Sequence, residues 1–246
     1  MTTNYDQLAE SYQSSKTNPI KQYSEQYTFL GRLGDVRGKA ILDVACGDGD
    51  YTRRLKRLGA AEVIGVDISE RMVAKARAIE RTDPLGLDYR VQDVAHLAQI
   101  GAFDLITAVY LFPYAPTRQA LDKMVRALAA NLKSEGRLLA VTTNPALEKT
   151  DLSDLTKYGT KMELAEPLED GAPVIATLFT AAGDIRLSTT YWSQATYERV
   201  FVEAGFEQVT WHRMRVSHDG LQAHGEAYWR TYLANPIIVL LEATKR

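Results

Sequence analysis

Between residues 38 and 143 short apolar runs alternate with stretches of helical spacing, and this alternation restricts the fold more than any other feature of the chain. The runs are KAILDVA (39–45), EVIGVD (62–67), LDYRVQD (87–93), FDLITAVYLF (103–112) and RLLAVTT (137–143). They are nearly continuous in apolar residues, the pattern of strands covered on both faces. Between them, 52–58, 70–80 and 117–132 space their apolar residues by three and four. In the second of these, Met72, Val73, Ala76 and Ile79 share one side and Ser69 stands where an N-cap belongs. Ser134-Glu135-Gly136 reads as the turn before the fifth strand. Strand–helix alternation of this kind predicts a parallel sheet with helices on both faces, and right-handed crossovers leave few topologies. FEQVTWHRM (206–214) and IIVLLEATK (237–245) read as two final strands. The expectation is therefore an α/β fold, a Rossmann-like, doubly wound, mostly parallel seven-stranded sheet.

The flanks are assigned around this core. Residues 1–35 read as an interrupted helical cap: Tyr5, Leu8, Ala9 and Tyr12 share a face, Asn18-Pro19 breaks the pattern, and Tyr23 to Leu33 resumes it. Residues 144–190 are punctuated by Asn144-Pro145, Glu166-Pro167 and Gly171-Ala172-Pro173. Val174 to Phe179 and Asp184 to Thr190 predict a hairpin there, an insertion over one end of the sheet. Gln194 to Ala204 reads as a helix stopped at Gly205, opening the 191–246 part. A length of 246 residues suits one such domain, 1–246.

Chemistry concentrates in L-D-V-A-C-G-D-G-D at 42–50, directly after the first strand. Gly47 and Gly49 let the backbone turn and let a ligand approach it, and the following helix offers free N–H groups at its positive end. Ligands of open α/β sheets lie beyond the carboxyl ends of the strands. Asp43, Asp67 and Asp93 stand at three such ends. Asp67, 18 residues after Gly49, suits ribose hydroxyls, and Asp93 suits an exocyclic amine of a base. A dinucleotide-binding turn needs a third glycine, but Thr52 stands in that place, and Asp48 and Asp50 would repel a pyrophosphate. A cofactor carrying a sulfonium and an ammonium tolerates those carboxylates.

These residues resemble a known family. L-D-V-A-C-G-D-G is similar to the first motif of class I S-adenosylmethionine-dependent methyltransferases, V-I-G-V-D-I-S-E-R-M to the second, Q-D-V to the third and F-D-L-I-T-A-V-Y-L-F to the fourth, covering roughly residues 5–143. The resemblance implies S-adenosyl-L-methionine as cofactor and S-adenosyl-L-homocysteine as product. It implies contacts from Ala45, Gly47, Gly49, Asp67, Ile68, Met72, Asp93, Val94 and Val109, with Asp43 near the methionine moiety and Tyr12 covering the cofactor. Y-D-x-L-A-x-x-Y near the start, G-A-A-x-V-x-G-V-D-I-S-E and the L-F-x-Y-A after the fourth motif are also similar to toxoflavin synthase-like methyltransferases, which N-methylate azapteridine rings.

The implied partner is a small planar acceptor, heteroaromatic or natural product, methylated on N or O by in-line displacement. Positioning dominates such a reaction, and no residue reads as a base. Phe112 and Tyr114 follow the fourth strand, where an acceptor would sit; with Tyr12 and Trp192 they form the expected acceptor site, under a lid made of the N-terminal helix and the 144–190 insertion. Tyr191, His218, His224 and Trp229 read as structural, and Cys46 as a packing residue. Two other readings stay open: a non-catalytic binder of the same cofactor acting as a regulator, and an NAD(P)-dependent oxidoreductase, which the missing glycine disfavours. A nucleic-acid methyltransferase is disfavoured by a net charge of −2 with dispersed Lys and Arg, and by Leu111-Phe112-Pro113-Tyr114 where N-P-P-Y would stand. No metal site is expected: there is one cysteine, and His218 and His224 are not one helical turn apart. The polar N-terminus and the shortness of 237–241 predict a cytoplasmic protein without a membrane span, monomeric or homodimeric.

Overall fold

The computed structural model describes residues 17–148, 152–181 and 183–246, and all five apolar runs are strands in it. The strands are β1 (Ala40–Val44), β2 (Glu62–Asp67), β3 (Asp88–Val91), β4 (Phe103–Val109), β5 (Leu132–Thr143), β6 (Thr160–Leu164), β7 (Pro173–Leu178), β8 (Ile185–Thr190), β9 (Phe206–His212) and β10 (Ile238–Lys245). The α-helices are α1 (Gln26–Leu33), α2 (Asp50–Arg57), α3 (Glu70–Thr82), α4 (Arg118–Asn131), α5 (Gln194–Glu203), α6 (His218–His224) and α7 (Glu226–Ala234). A π-helical turn, Lys21–Glu25, leads into α1.

Seven strands form one sheet in the order β3-β2-β1-β4-β5-β10-β9. β1 to β5 pair in parallel, and β10 runs antiparallel to both of its neighbours. This is the expected mostly parallel, Rossmann-like architecture. The chain winds outward in both directions from β1, so the crevice between β1 and β4 is the switch point where ligands of this topology bind.

Period-two alternation assigns each strand residue to a face. Leu42, Val44, Ile106 and Ala108 point toward α4 and α5, where they meet Leu121, Val125, Tyr197 and Phe201. Ile41, Leu105, Leu139 and Val141 point the other way, toward Phe29 of α1, Leu55 of α2 and Trp229 of α7. Each fully buried leucine or phenylalanine contributes about 1.5–3 kcal/mol, so the doubly covered sheet carries the stability and holds the strand ends still. Helix starts are fixed locally. The Ser69 hydroxyl accepts from Met72 N at 3.2 Å, Thr117 from Ala120 N at 3.1 Å and Ser193 from Thr196 N at 3.3 Å.

Several expectations need correction. The 144–190 insertion holds a three-stranded antiparallel sheet, order β6-β7-β8, rather than a lone hairpin. β6 reads Thr-Lys-Met-Glu-Leu: Thr160 is buried, while Lys161 and Glu163 pair with each other and Glu163 with Arg186 on the outer side. The turn expected at 134–136 lies inside β5, as an irregularity in which Phe103 faces Leu132 but Leu105 faces Arg137. The segment 215–236, for which no element is expected from the sequence, holds α6 and α7, capped by Ser217 and parted by Gly225. Trp229 ties them together, its indole N–H donating to Gly220 O at 2.8 Å.

Candidate functional site

The turn from β1 into α2 is conformationally special. Ala45, Gly47 and Gly49 have φ of +53°, +56° and +84°. Tyr110, directly after β4, has φ +61°. A left-handed alanine or tyrosine costs on the order of 1 kcal/mol or more, and such strain concentrates at functional sites. Here Ala45 and Tyr110 sit at the adjacent ends of β1 and β4, the switch point itself.

Asp67, at the end of β2, braces this turn. One carboxylate oxygen accepts from Gly47 N at 2.7 Å and the other from Ser69 N at 2.9 Å. It therefore fixes both the glycine turn and the start of α3. Beside it lies a cavity of about 400 Å³. Ala45, Gly47, Asp67, Ile68, Met72, Asp93, Val94 and Val109 line it, and so do Gln92, Tyr110 and Tyr114, with Thr117, Lys123 and Met124 from the α4 side. Ile68 is 64% exposed, an apolar side chain left uncovered on the cavity wall. Asp93 closes a short turn by accepting from Ala95 N at 2.9 Å and meets His96 Nδ1 at 3.0 Å.

Asp43 and Gly49 do not line the cavity; they stand behind its wall. The Asp43 carboxylate is fully buried and accepts from the hydroxyls of Thr52 at 2.6 Å and Thr107 at 2.7 Å. Burial pushes its carboxyl up to about 6, against the lowering effect of those two hydroxyls and with further upward pressure from the Asp67 and Asp50 charges. Between about pH 4 and 6 the folded chain holds this proton more tightly than the unfolded chain. The Asp43 contribution to stability is therefore greatest below that window and is lost as pH rises through it, by up to about 3 kcal/mol. Asp43→Asn cannot titrate. Its stability relative to the parent chain should rise by up to that amount between pH 4 and 7, read from urea unfolding at several pH values; a pH-independent difference would contradict this assignment.

A second, smaller cavity of about 110 Å³ adjoins the first. Its walls come from the π-helical turn (Ile20, Lys21, Glu25), the inner face of the insertion sheet (Thr160, Met162, Ala176, Leu178, Leu187, Thr189) and the ends of β5 and β10 (Thr143, Ile238). Tyr110 and Tyr114 line both cavities and form the wall between them. The insertion thus roofs a compartment next to the larger cavity.

Of the four residues expected to hold an acceptor, Tyr114 faces this compartment. Phe112 does not. It is fully buried on the α4–α5 face, edge-on to Tyr197 and Phe201 with centroids 6.0 and 5.5 Å away. Trp192 is also core, its indole N–H donating to Ala115 O at 3.2 Å. Phe112 and Trp192 fill the space under α4 and α5 rather than open toward ligand. Tyr12 lies outside the described residues. Burial pushes the Cys46 thiol up, which leaves it a protonated packing group. Among the described residues no group of three or more His, Cys, Asp and Glu could hold a metal ion, and no helix is long and apolar enough to cross a membrane. Sequence reasoning missed Gln92, Tyr110, Glu25 and the β6–β8 wall residues. Tyr110 lies inside the fourth motif, F-D-L-I-T-A-V-Y-L-F, but carries no local mark of its left-handed backbone.

Residues 41–136 match a family described as "Methyltransferase domain". An O-methyltransferase of ubiquinone biosynthesis from Xanthomonas oryzae pv. oryzae is 37% identical over 112 residues, 45% of this chain and 45% of its own length. The corresponding enzyme from Coxiella burnetii is 34% identical over 129 residues, 52% of this chain and 51% of its own. The chain thus spans about half the length of the curated relatives it matches. Among solved structures, an S-adenosylmethionine-dependent methyltransferase from Mesorhizobium loti superposes with TM-score 0.65 at 19% identity, over 94% of this chain and 100% of its own. The CcbJ methyltransferase from Streptomyces caelestis superposes with TM-score 0.67 at 18% identity, over 99% and 98%. The fold is that of the class I S-adenosylmethionine-dependent methyltransferases.

Proposed function

We propose that this chain, whose residues 41–136 are a methyltransferase domain, transfers a methyl group from S-adenosyl-L-methionine to a small planar acceptor seated in the smaller cavity. The observation that carries this reading is the pair of adjoining cavities with a common wall of Tyr110 and Tyr114. A protein that only sensed the cofactor would need the first cavity and not the second.

The residues of the larger cavity fit the cofactor chemically. The Asp67 carboxylate, oriented by two backbone N–H groups, stands in the cavity wall as the acceptor offered to ribose hydroxyls. Asp93 offers an acceptor for an amine, and Ile68, Met72 and Val94 offer apolar surface to a flat base. Gly47, without a side chain, keeps the backbone approachable. When bound, the cofactor supplies an electrophilic methyl group on a positively charged sulfur with a good leaving group. The protein's part is alignment and exclusion of water, worth on the order of 7–11 kcal/mol when the reacting atoms are well placed. The β6–β8 roof, Tyr110 and Tyr114 supply both. Walls such as Ile20, Met162 and Leu187 exclude water, dry surroundings that would favour a charge-dispersing transfer.

An engineered apolar cavity of about 150 Å³ holds benzene, so the smaller compartment, at about 110 Å³, has room for at most one ring, and the remainder of the acceptor extends toward Tyr114. The relatives named for ubiquinone biosynthesis are O-methyltransferases, which favours a phenolic ring among the candidates. The test is a methyl-transfer assay over single-ring phenols and N–H heteroaromatics, read by mass spectrometry. Addition of one methyl with stoichiometric S-adenosylhomocysteine is expected for at least one class; no methylated product from any of them, with the cofactor demonstrably bound, would overturn the assignment.

A further inference from the structure

Glu25 is an unusual residue for the wall of an apolar compartment. It is fully buried, at the last position of the π-helical turn before α1. Single π turns often mark functional sites, because the extra residue rotates the following side chains relative to a regular helix. Its Oε1 accepts from the Tyr51 hydroxyl at 2.8 Å, and its Oε2 accepts from the Tyr110 hydroxyl. Both donors are tyrosine hydroxyls. Burial, with the adjacent Glu25 charge, pushes the Tyr51 phenol well up, so it stays a donor. A carboxylate has about four acceptor positions, and these two bonds leave about half of them unfilled. Around it the compartment is mostly apolar, walled by Ile20, Pro113, Met162, Leu187 and Ile238, with Asn18, Lys21, Thr143, Thr160 and Thr189 adding polar groups to the lining.

We infer that Glu25 determines acceptor specificity, admitting rings that present an N–H or O–H donor to its free lone pairs and rejecting isosteres that lack one. The inference rests on the proposed methyltransferase reading and deepens it. An incompletely satisfied buried carboxylate is costly, and a donor on the incoming ring removes part of that cost. A ring of the same shape without a donor leaves the carboxylate less solvated than before binding. Discrimination therefore comes from the penalty on the wrong ligand as much as from attraction to the right one. Tyr110 couples this residue to the rest of the site, since its hydroxyl is held by Glu25 while its residue lines both cavities.

Binding to the protein saturated with S-adenosylhomocysteine tests this without turnover. Phenol, aniline and toluene have nearly the same shape, and toluene is the most apolar, so unaided hydrophobic binding ranks it first. The parent protein should bind phenol and aniline at least about tenfold more tightly than toluene by ligand-observed NMR titration, the range expected for a hydrogen bond to a charged group. Glu25→Gln should shrink that preference and Glu25→Met should reverse it, with S-adenosylhomocysteine affinity kept within about twofold because Glu25 does not line the larger cavity. Equal affinity for phenol and toluene in the parent protein would overturn the inference even if neither variant folds. A preference that survives in a folded variant would do the same, as would failure of all three rings to bind while S-adenosylhomocysteine binds. Failure of S-adenosylhomocysteine itself to bind would instead overturn the methyltransferase reading beneath it.

Discussion

Asp67→Ala is expected to weaken S-adenosylmethionine binding by about 100-fold or more. The carboxylate makes two bonds to backbone N–H groups, from Gly47 at 2.7 Å and Ser69 at 2.9 Å, and lines the cavity. Its removal deletes the acceptor offered to the ribose and also loosens the turn whose shape the rest of the cofactor needs. Hydrogen bonds to charged groups are worth about 1.5–3 kcal/mol each, so losing both the brace and the ligand contact exceeds the roughly 2.7 kcal/mol that corresponds to 100-fold. Asp67→Asn keeps the volume and one acceptor oxygen, and should fall between the two, near tenfold. Asp93→Ala should cost less than Asp67→Ala, because Asp93 is only half-buried and braces a single short turn. Equilibrium dialysis against labelled cofactor measures all three, and a folded Asp67→Ala protein with undiminished affinity would show that the cavity at the strand ends is not the cofactor site.

The largest expected loss of stability from a small substitution is at Gly49. At φ +84° an alanine already pays on the order of 1 kcal/mol. A Cβ there would also overlap the Tyr89 hydroxyl oxygen and lie 2.8 Å from two ring carbons. Tyr89 is buried, with Cys46, Val73 and Ala76 beside it, so the ring has little room to yield. Gly49→Ala should therefore cost about 3 kcal/mol or more, overpacking adding to backbone strain. Gly47→Ala provides the contrast. Its φ is +56° but nothing lies within 4 Å of the added carbon, so stability should fall by only about 1 kcal/mol while cofactor affinity drops, because Gly47 lines the cavity. The Tyr89 hydroxyl is the one buried side-chain polar atom without a partner among the described residues. Tyr89→Phe should consequently be neutral or stabilising, and should recover part of the Gly49→Ala loss by removing the atom in closest conflict. Urea unfolding of the four variants checks the ranking; equal losses at Gly47 and Gly49 would contradict it.

What was legible in the sequence was what short-range pattern encodes. The apolar runs that became β1 to β5, the Ser69 cap and the glycine turn are local, and each appears where its residues predicted. β6 escaped notice although Thr160, Met162 and Leu164 alternate with Lys161 and Glu163, because five residues between loops give a weak period-two signal. Partition between core and site was less accessible. Phe112 and Tyr114 flank one proline in the same short turn, yet the first packs under α4 and the second lines the cavities, a division set by α4 and α5 rather than by the turn. Trp192 likewise has an unambiguous core position only once α5 and Ala115 are in place. Glu25 reads along the chain as an ordinary polar helix residue; its burial depends on Tyr51 and Tyr110, 26 and 85 positions away. Such long-range choices decide substrate preference, whereas the cofactor turn is written almost contiguously.

The larger cavity should hold an adenosyl sulfonium cofactor. Isothermal titration of the purified chain with S-adenosylhomocysteine measures this directly. One molecule should bind per chain, S-adenosylmethionine should compete for the same site, and NAD should give no heat. Absence of binding by both adenosyl compounds at millimolar concentration, in a chain that unfolds cooperatively, would contradict it.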